Sequence, residues 1–214
     1  MKDNERQEIE KFGQLQENGI FTMTIIGEIE GHQLSAQNAK TTKYEHMIPT
    51  KVEQDESIKG ILILINTIGG DVECGLAIAE LIASLSKPTV SLVLGGSHSI
   101  GVPLAVAADH SFIVKSATMM IHPVRSSGTF IGVIQSYRNI EKIQDRITTF
   151  ISDHSKMKKE RVEELMLHIG QQVKDVGMIL SGEKAVKEGL IDEMGGIKEA
   201  TDRLIEIINR SENK

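Results

Sequence analysis

Residues 60–109 read GILILINTIGGDVECGLAIAELIASLSKPTVSLVLGGSHSIGVPLAVAAD. GILILIN is a continuous apolar run, the pattern of a strand covered on both faces. It ends at Thr67-Ile68-Gly69-Gly70, where two glycines permit a tight turn that exposes backbone amides. The following DVECGLAIAELIASLS places Val72, Gly75, Leu76, Ala79, Ile82 and Ala83 at helical spacing, and Lys87-Pro88 closes the helix. The unit then recurs. TVSLVL reads as a second buried strand, GGSHSIG as a glycine-rich turn and VPLAVAAD as a short helix of small residues. Two strand-to-helix elbows in tandem predict an α/β fold.

Working outward, residues 1–20 are charge-rich without an apolar period and read as a mobile tail outside the core, with the domain occupying 21–214. FTMTIIGEI, from Phe21, alternates as a strand does, and the polar stretch from His32 to about Glu56 reads as helical, interrupted at Pro49. SFIVK and TMMIH are further short strands. From about Ile131 to Met166 the period is helical, and Ile140, Ile143, Ile147, Phe150 and Ile151 form an apolar stripe expected to meet a partner surface. The segment LSGEKAVKEGLIDEMGG predicts a helix, a short strand at Leu190-Ile191 and a turn, and IKEATDRLIEIINR an amphipathic terminal helix.

Composition removes several function classes. The 214 residues, 40% hydrophobic and 25% charged, suit one core-bearing domain. No apolar run approaches the roughly 18 residues of a membrane span, and the polar N-terminus does not resemble a signal peptide, so a cytoplasmic protein is expected. The single cysteine, Cys74, excludes an internal disulfide framework and a multi-cysteine metal site. A net charge of -6 with no Trp and two Tyr disfavours nucleic acid as a partner. No GxxxxGK[ST] or GxGxxG follows a strand, so nucleotide binding lacks its motif, and no metal or cofactor is expected.

Ser99 lies in the second elbow between Gly95-Gly96 and Gly101. A serine on a sharp turn between a buried strand and a helix holds its hydroxyl clear of the backbone, near the positive end of the helix dipole. That suits a nucleophile; it also suits a small N-capping residue, as Ser97 and Ser99 could both be. His122 ends TMMIH, and Pro123 biases it towards extended backbone at the strand's mouth. There it can serve as a general base or as a hydrogen-bonded structural residue. His98 and His110 are read as structural. The Gly69-Gly70 turn can offer amides to an oxyanion or form a plain tight loop.

In order along the chain, ILINTIGGDVECGLAI, LGGSHSIGVPLAVAA, MMIHPV and LSGEKAVKEGLIDEMGG resemble the successive signatures of the ClpP family of self-compartmentalised serine peptidases, most closely its translocation-enhancing branch. The resemblance spans roughly Phe21 to Gly196. It implies the ClpP/crotonase-type spiral of β-β-α units with a projecting helical handle at about 128–168. It further implies Ser99 as nucleophile, His122 as its hydrogen-bonding base, and the amides of Gly70 and Ile100 as oxyanion donors. Ile68 stands where the family has proline, and His98 where it has a small residue. Direct alignment from Leu180-Ser181 puts Gly177 at the family's triad aspartate, and Asp175, two residues earlier, is carried as the acid.

What the resemblance implies is serine endopeptidase action on peptides or unfolded protein inside a homo-oligomeric ring, a heptamer or stacked rings, with an ATPase or the export machinery as partner. Two alternatives stand beside it. One is a catalytically weak scaffold or adaptor in protein translocation, and the other a crotonase-type acyl-CoA enzyme. A serine-lysine dyad using Lys115 or Lys184 is a further variant, for which His122 is the better placed base.

Overall fold

A computed structural model describes residues 15–30, 41–42, 52–126, 131–169 and 176–212. Among them nine strands form one sheet. Its central path runs β1 (Leu15–Glu17), β2 (Ile20–Ile29), β4 (Gly60–Gly70), β5 (Thr89–His98), β6 (His110–Ile113) and β9 (Glu193–Met194), with every pairing after the β1–β2 hairpin parallel. The short β3 (Thr41–Thr42) adds to β2, and β7 (Thr118–Ile121) pairs with β5 on one side and antiparallel with β8 (Met178–Ser181) on the other.

The apolar run of β4 is explained by what covers it. Ile61, Ile63 and Ile65 face a core shared with α1 (Val72–Ala83), α2 (Gly101–Val106), α3 (Val133–Asp153) and α4 (Lys159–Met166). Leu62 faces the opposite way, into a second cluster with Val90, Leu92 and Phe112 under Ala200, Leu204 and Ile208 of α6 (Ile197–Glu212). Successive side chains alternate between faces, so a strand with helices on both sides must be apolar at every position. Gly60 is required beneath α6, where a Cβ would lie 2.7 Å from Ile208 Cδ1. Buried polar groups are satisfied locally, Ser91 Oγ donating to Ala105 O at 2.6 Å and so tying β5 to α2.

The course of β5 positions everything that follows. Its first half, Val90 to Val93, pairs with β6; its second half, Gly96 to His98, has moved to β7. The segment Gly95–His98, expected as a turn, is therefore strand, and the turn proper is only Ser99-Ile100. Other expectations shift as well. Leu190 and Ile191 are buried core but lie outside any strand, and the pairing residues are Glu193–Met194. Leu180-Ser181 closes β8 instead of opening a helix, and the helix that follows, α5, is Gly182–Lys187. Leu15–Glu17 and Ile20, expected in a tail outside the core, belong to the sheet, and Thr41–Thr42 is strand where helix was expected; most of 32–56, like residues 1–14, lies outside the described residues.

The stripe on α3 does not serve as an intermolecular contact along its whole length. Ile147, Phe150 and Ile151 are buried in the chain's own core and Ile143 packs against it, because α3 packs against the short helices α2 and α4. On this segment the large apolar side chains left exposed are Ile131, Val133, Ile134 and Tyr137, at or before the helix's first turns.

Candidate active site

Three strand ends converge at the C-terminal edge of the parallel sheet, the edge where α/β folds place their sites. Register brings them level. Thr67 pairs with Ser97, which puts Gly69 beside Ser99, and His98 pairs with Met120, which puts His122 one step past Ser99 on the next strand.

Ser99 has a left-handed backbone, φ 57. That conformation costs a non-glycine residue about 1–3 kcal/mol, and the surroundings hold it in place. Its amide donates to Met120 O at 2.9 Å, and its carbonyl accepts from Val102 N at 3.0 Å. Below it Ser97 Oγ donates to Gly101 O at 2.6 Å. Gly69, at φ +93, packs directly on this elbow: a Cβ there would stand 2.7 Å from both His98 O and Ser99 Cβ, and 3.3 Å from Ile100 N. Thr67 Oγ1 accepts from Gly69 N at 3.0 Å and donates to Gly27 O at 2.6 Å, fixing the glycine turn. Gly70 is equally constrained, its ideal Cβ only 2.2 Å from Ile29 O. The Ile100 amide has no acceptor among the described residues.

His122 is held differently. Its Nδ1 lies 2.7 Å from Pro123 O, and since a carbonyl can only accept, Nδ1 carries the proton and Nε2 is left as the basic nitrogen. Gly177 presses on it from behind: at φ +134, a Cβ would fall 2.5 Å from Ile121 O and 2.8 Å from His122 Cβ. The residue that aligns with the family aspartate thus does lie against the histidine, at a point where only glycine fits. Asp175 lies outside the described residues.

Ser99, His122, Gly70 and Ile100 line one cavity of about 360 Å³, floored by apolar side chains including Val102, Ile147 and Met166. No hydrogen bond joins Ser99 to His122 among the described residues, so the expected direct bond is not formed, although both side chains border the same space. His98 and His110 stand apart from that space. His98 Nε2 meets Thr118 Oγ1 at 3.0 Å, and burial, then the charge of neighbouring His122, holds its pKa below the usual imidazole value. His110 sits 3.2 Å from Glu193 and 3.8 Å from Asp192. Lys115 pairs with Glu183 on the surface, and neither it nor Lys184 lines the cavity. Sequence reading missed Glu28, which does line it; a lone glutamate near the end of a strand carries no local signal that could have found it.

The Clp protease family model matches residues 30–198. The chain belongs to the Clp protease family. It is 50% identical to the translocation-enhancing protein TepA of Halalkalibacterium halodurans, over 96% of this chain and 83% of that protein. It is 28% identical to the ATP-dependent Clp protease proteolytic subunit 1 of Chlamydia muridarum, over 62% of this chain and 68% of the relative. A ClpP1 variant from Listeria monocytogenes superposes with a TM-score of 0.63 at 20% identity, covering 84% of this chain and 93% of that one, which establishes the ClpP-like α/β fold. The crotonase-type reading gives way to these matches. Among the described residues no helix is long and apolar enough to cross a membrane, and no three or more His, Cys, Asp or Glu side chains are grouped so as to hold a metal ion.

Proposed function

We propose that this chain is a serine endopeptidase that cleaves peptides or unfolded protein within a ring of its own copies. The observation that carries the reading is the shared cavity: a strained serine elbow, an imidazole with a free Nε2 and two glycine-turn and elbow amides border one space. Ser99 Oγ attacks the peptide carbonyl while His122 Nε2 takes its proton; the amides of Gly70 and Ile100 receive the oxyanion. His122 then returns the proton to the leaving amine, and water, activated by the same imidazole, releases the acyl group. Catalytic hydrogen bonds commonly tighten only when substrate binds, which accommodates the open Ser99–His122 arrangement.

Pro123 O fulfils the tautomer-fixing part of a triad acid's role, but as a neutral dipole it stabilises the imidazolium less than a carboxylate does. Asp175 is the proposed third member, and to act it must displace that carbonyl from Nδ1. Ring assembly, as a heptamer or stacked rings, and an ATPase or export-machinery partner are proposed from the same family membership. A second reading, a translocation scaffold or adaptor, draws support from the 50% identity to a translocation-enhancing protein and from the backbone carbonyl in the acid's usual place.

The deciding experiment measures hydrolysis of an unstructured protein such as casein by the assembled protein, its Ser99→Ala variant and its His122→Ala variant. The peptidase reading expects turnover only in the unaltered chain. Equal residual activity in all three, or no hydrolysis by a correctly assembled oligomer, favours the scaffold.

A further inference from the structure

Building on the peptidase reading, we infer that Glu28 and Ile68 form a subsite for a lysine or arginine side chain next to the scissile bond. The two residues come together through an irregularity in the sheet. Gly27 pairs with Thr67 but Glu28 pairs with Gly69, so Ile68 is an extra residue on β4 and is thrown outward, 67% exposed. Such a bulge re-aims side chains and is common beside active sites. Both residues line the cavity that holds Ser99 and His122.

Their chemistry is complementary to one kind of side chain. Glu28 is exposed and, among the described residues, its side chain makes no hydrogen bond or ion pair, so its carboxylate is not spent on the fold. Ile68 offers an apolar ledge beside it. A lysine or arginine has an apolar stem to lie along such a ledge and a cationic head to meet a carboxylate. The other fixed charge on the cavity wall, Arg125, follows His122-Pro123-Val124 on a different segment, and the net charge of -6 adds no bias against a cation. Ile68 is also the position where proline would have removed the ledge, so the departure noted in the sequence acquires a role in substrate choice.

The test uses the assembled protein and three fluorogenic peptides identical except for Lys, Ala or Glu at positions flanking one apolar scissile residue. At low ionic strength the Lys peptide should exceed the Glu peptide in kcat/KM by roughly threefold to tenfold at one flanking position, the scale of a partly exposed charge pair. That ratio should shrink in 0.5 M salt, approach one in Glu28→Gln and invert in Glu28→Lys. The same peptides are titrated by fluorescence anisotropy against the Ser99→Ala protein, so that recognition is read without turnover. Hydrolysis with no Lys preference overturns the subsite and leaves the peptidase reading standing. A Glu28-dependent Lys preference in binding without hydrolysis keeps the subsite and removes the peptidase reading. A Lys preference that survives in Glu28→Lys overturns the assignment to Glu28.

Discussion

The serine side and the histidine side of the cavity are built to different standards. Ser99 is fixed by the hydrogen bond its amide donates to Met120 O, the hydrogen bond from Val102 N to its own carbonyl and a glycine turn that leaves no room for a methyl group. His122 is fixed by one backbone carbonyl and by contact with Gly177, whose preceding residues 170–175 fall outside the described chain. A nucleophile held in a strained conformation by several independent contacts is preorganised at a cost in stability, whereas an imidazole oriented by a single neutral acceptor depends on that acceptor for its competence. The difference teaches that variants of the residues that hold Ser99 should be read in stability, and variants of the residues that hold His122 in rate.

The sharpest expected contrast is kinetic. Ser99→Ala should abolish hydrolysis, and His122→Ala should lower kcat by about 10³-fold or more, since nucleophile and base act as a unit; steady-state assays on the oligomer check both. Next comes Gly69→Ala. Its Cβ would strike His98 O and Ser99 Cβ at 2.7 Å in a left-handed backbone, and a loss of about 3 kcal/mol is expected from overpacking and strain together, measured by denaturant unfolding. Stability unchanged by that substitution would dissolve the claim that the elbow is tightly held.

On the histidine side, Gly177→Ala should act mainly through His122, cutting kcat by roughly 10-fold or more while KM for a short peptide stays within about twofold. A change confined to unfolding free energy would assign Gly177 to the fold alone. A smaller effect tests the strain itself: Ser99→Gly should be more stable than Ser99→Ala by about 1 kcal/mol, because glycine carries no Cβ penalty at φ 57. The smallest concerns His98. Its depressed pKa means that the unfolded chain binds a proton that the folded chain does not, so stability should fall as pH drops below about 6.5 towards the folded value. A Tm-versus-pH series should show this slope reduced in His98→Gln.

Much of this architecture was legible in the order of residues because strong local physics dictated it. An unbroken run such as Ile61–Ile65 has few alternatives to a doubly covered strand, and two glycine-interrupted strand-to-helix units define the elbows that carry Gly70 and Ser99. What escaped the sequence depends on register. Glycines 95 and 96 usually end strands, yet here β5 continues through them because β7 supplies new pairing partners. Leu190-Ile191 has the apolarity of a buried strand, but burial alone explains it. The α3 stripe has a helix's period, but its period says nothing of whether the covering surface belongs to this chain or another. Glu28 was silent because a single glutamate has no local signature; only the bulge at Ile68 brings it to the cavity.

The most direct test of the central pairing is the rate at which a fluorophosphonate modifies Ser99, located by peptide mass mapping, in the unaltered oligomer and in His122→Ala. The account predicts modification at Ser99 and a rate reduced by about 10²- to 10⁴-fold without the imidazole. Equal rates in the two proteins, or modification at another residue, would contradict it.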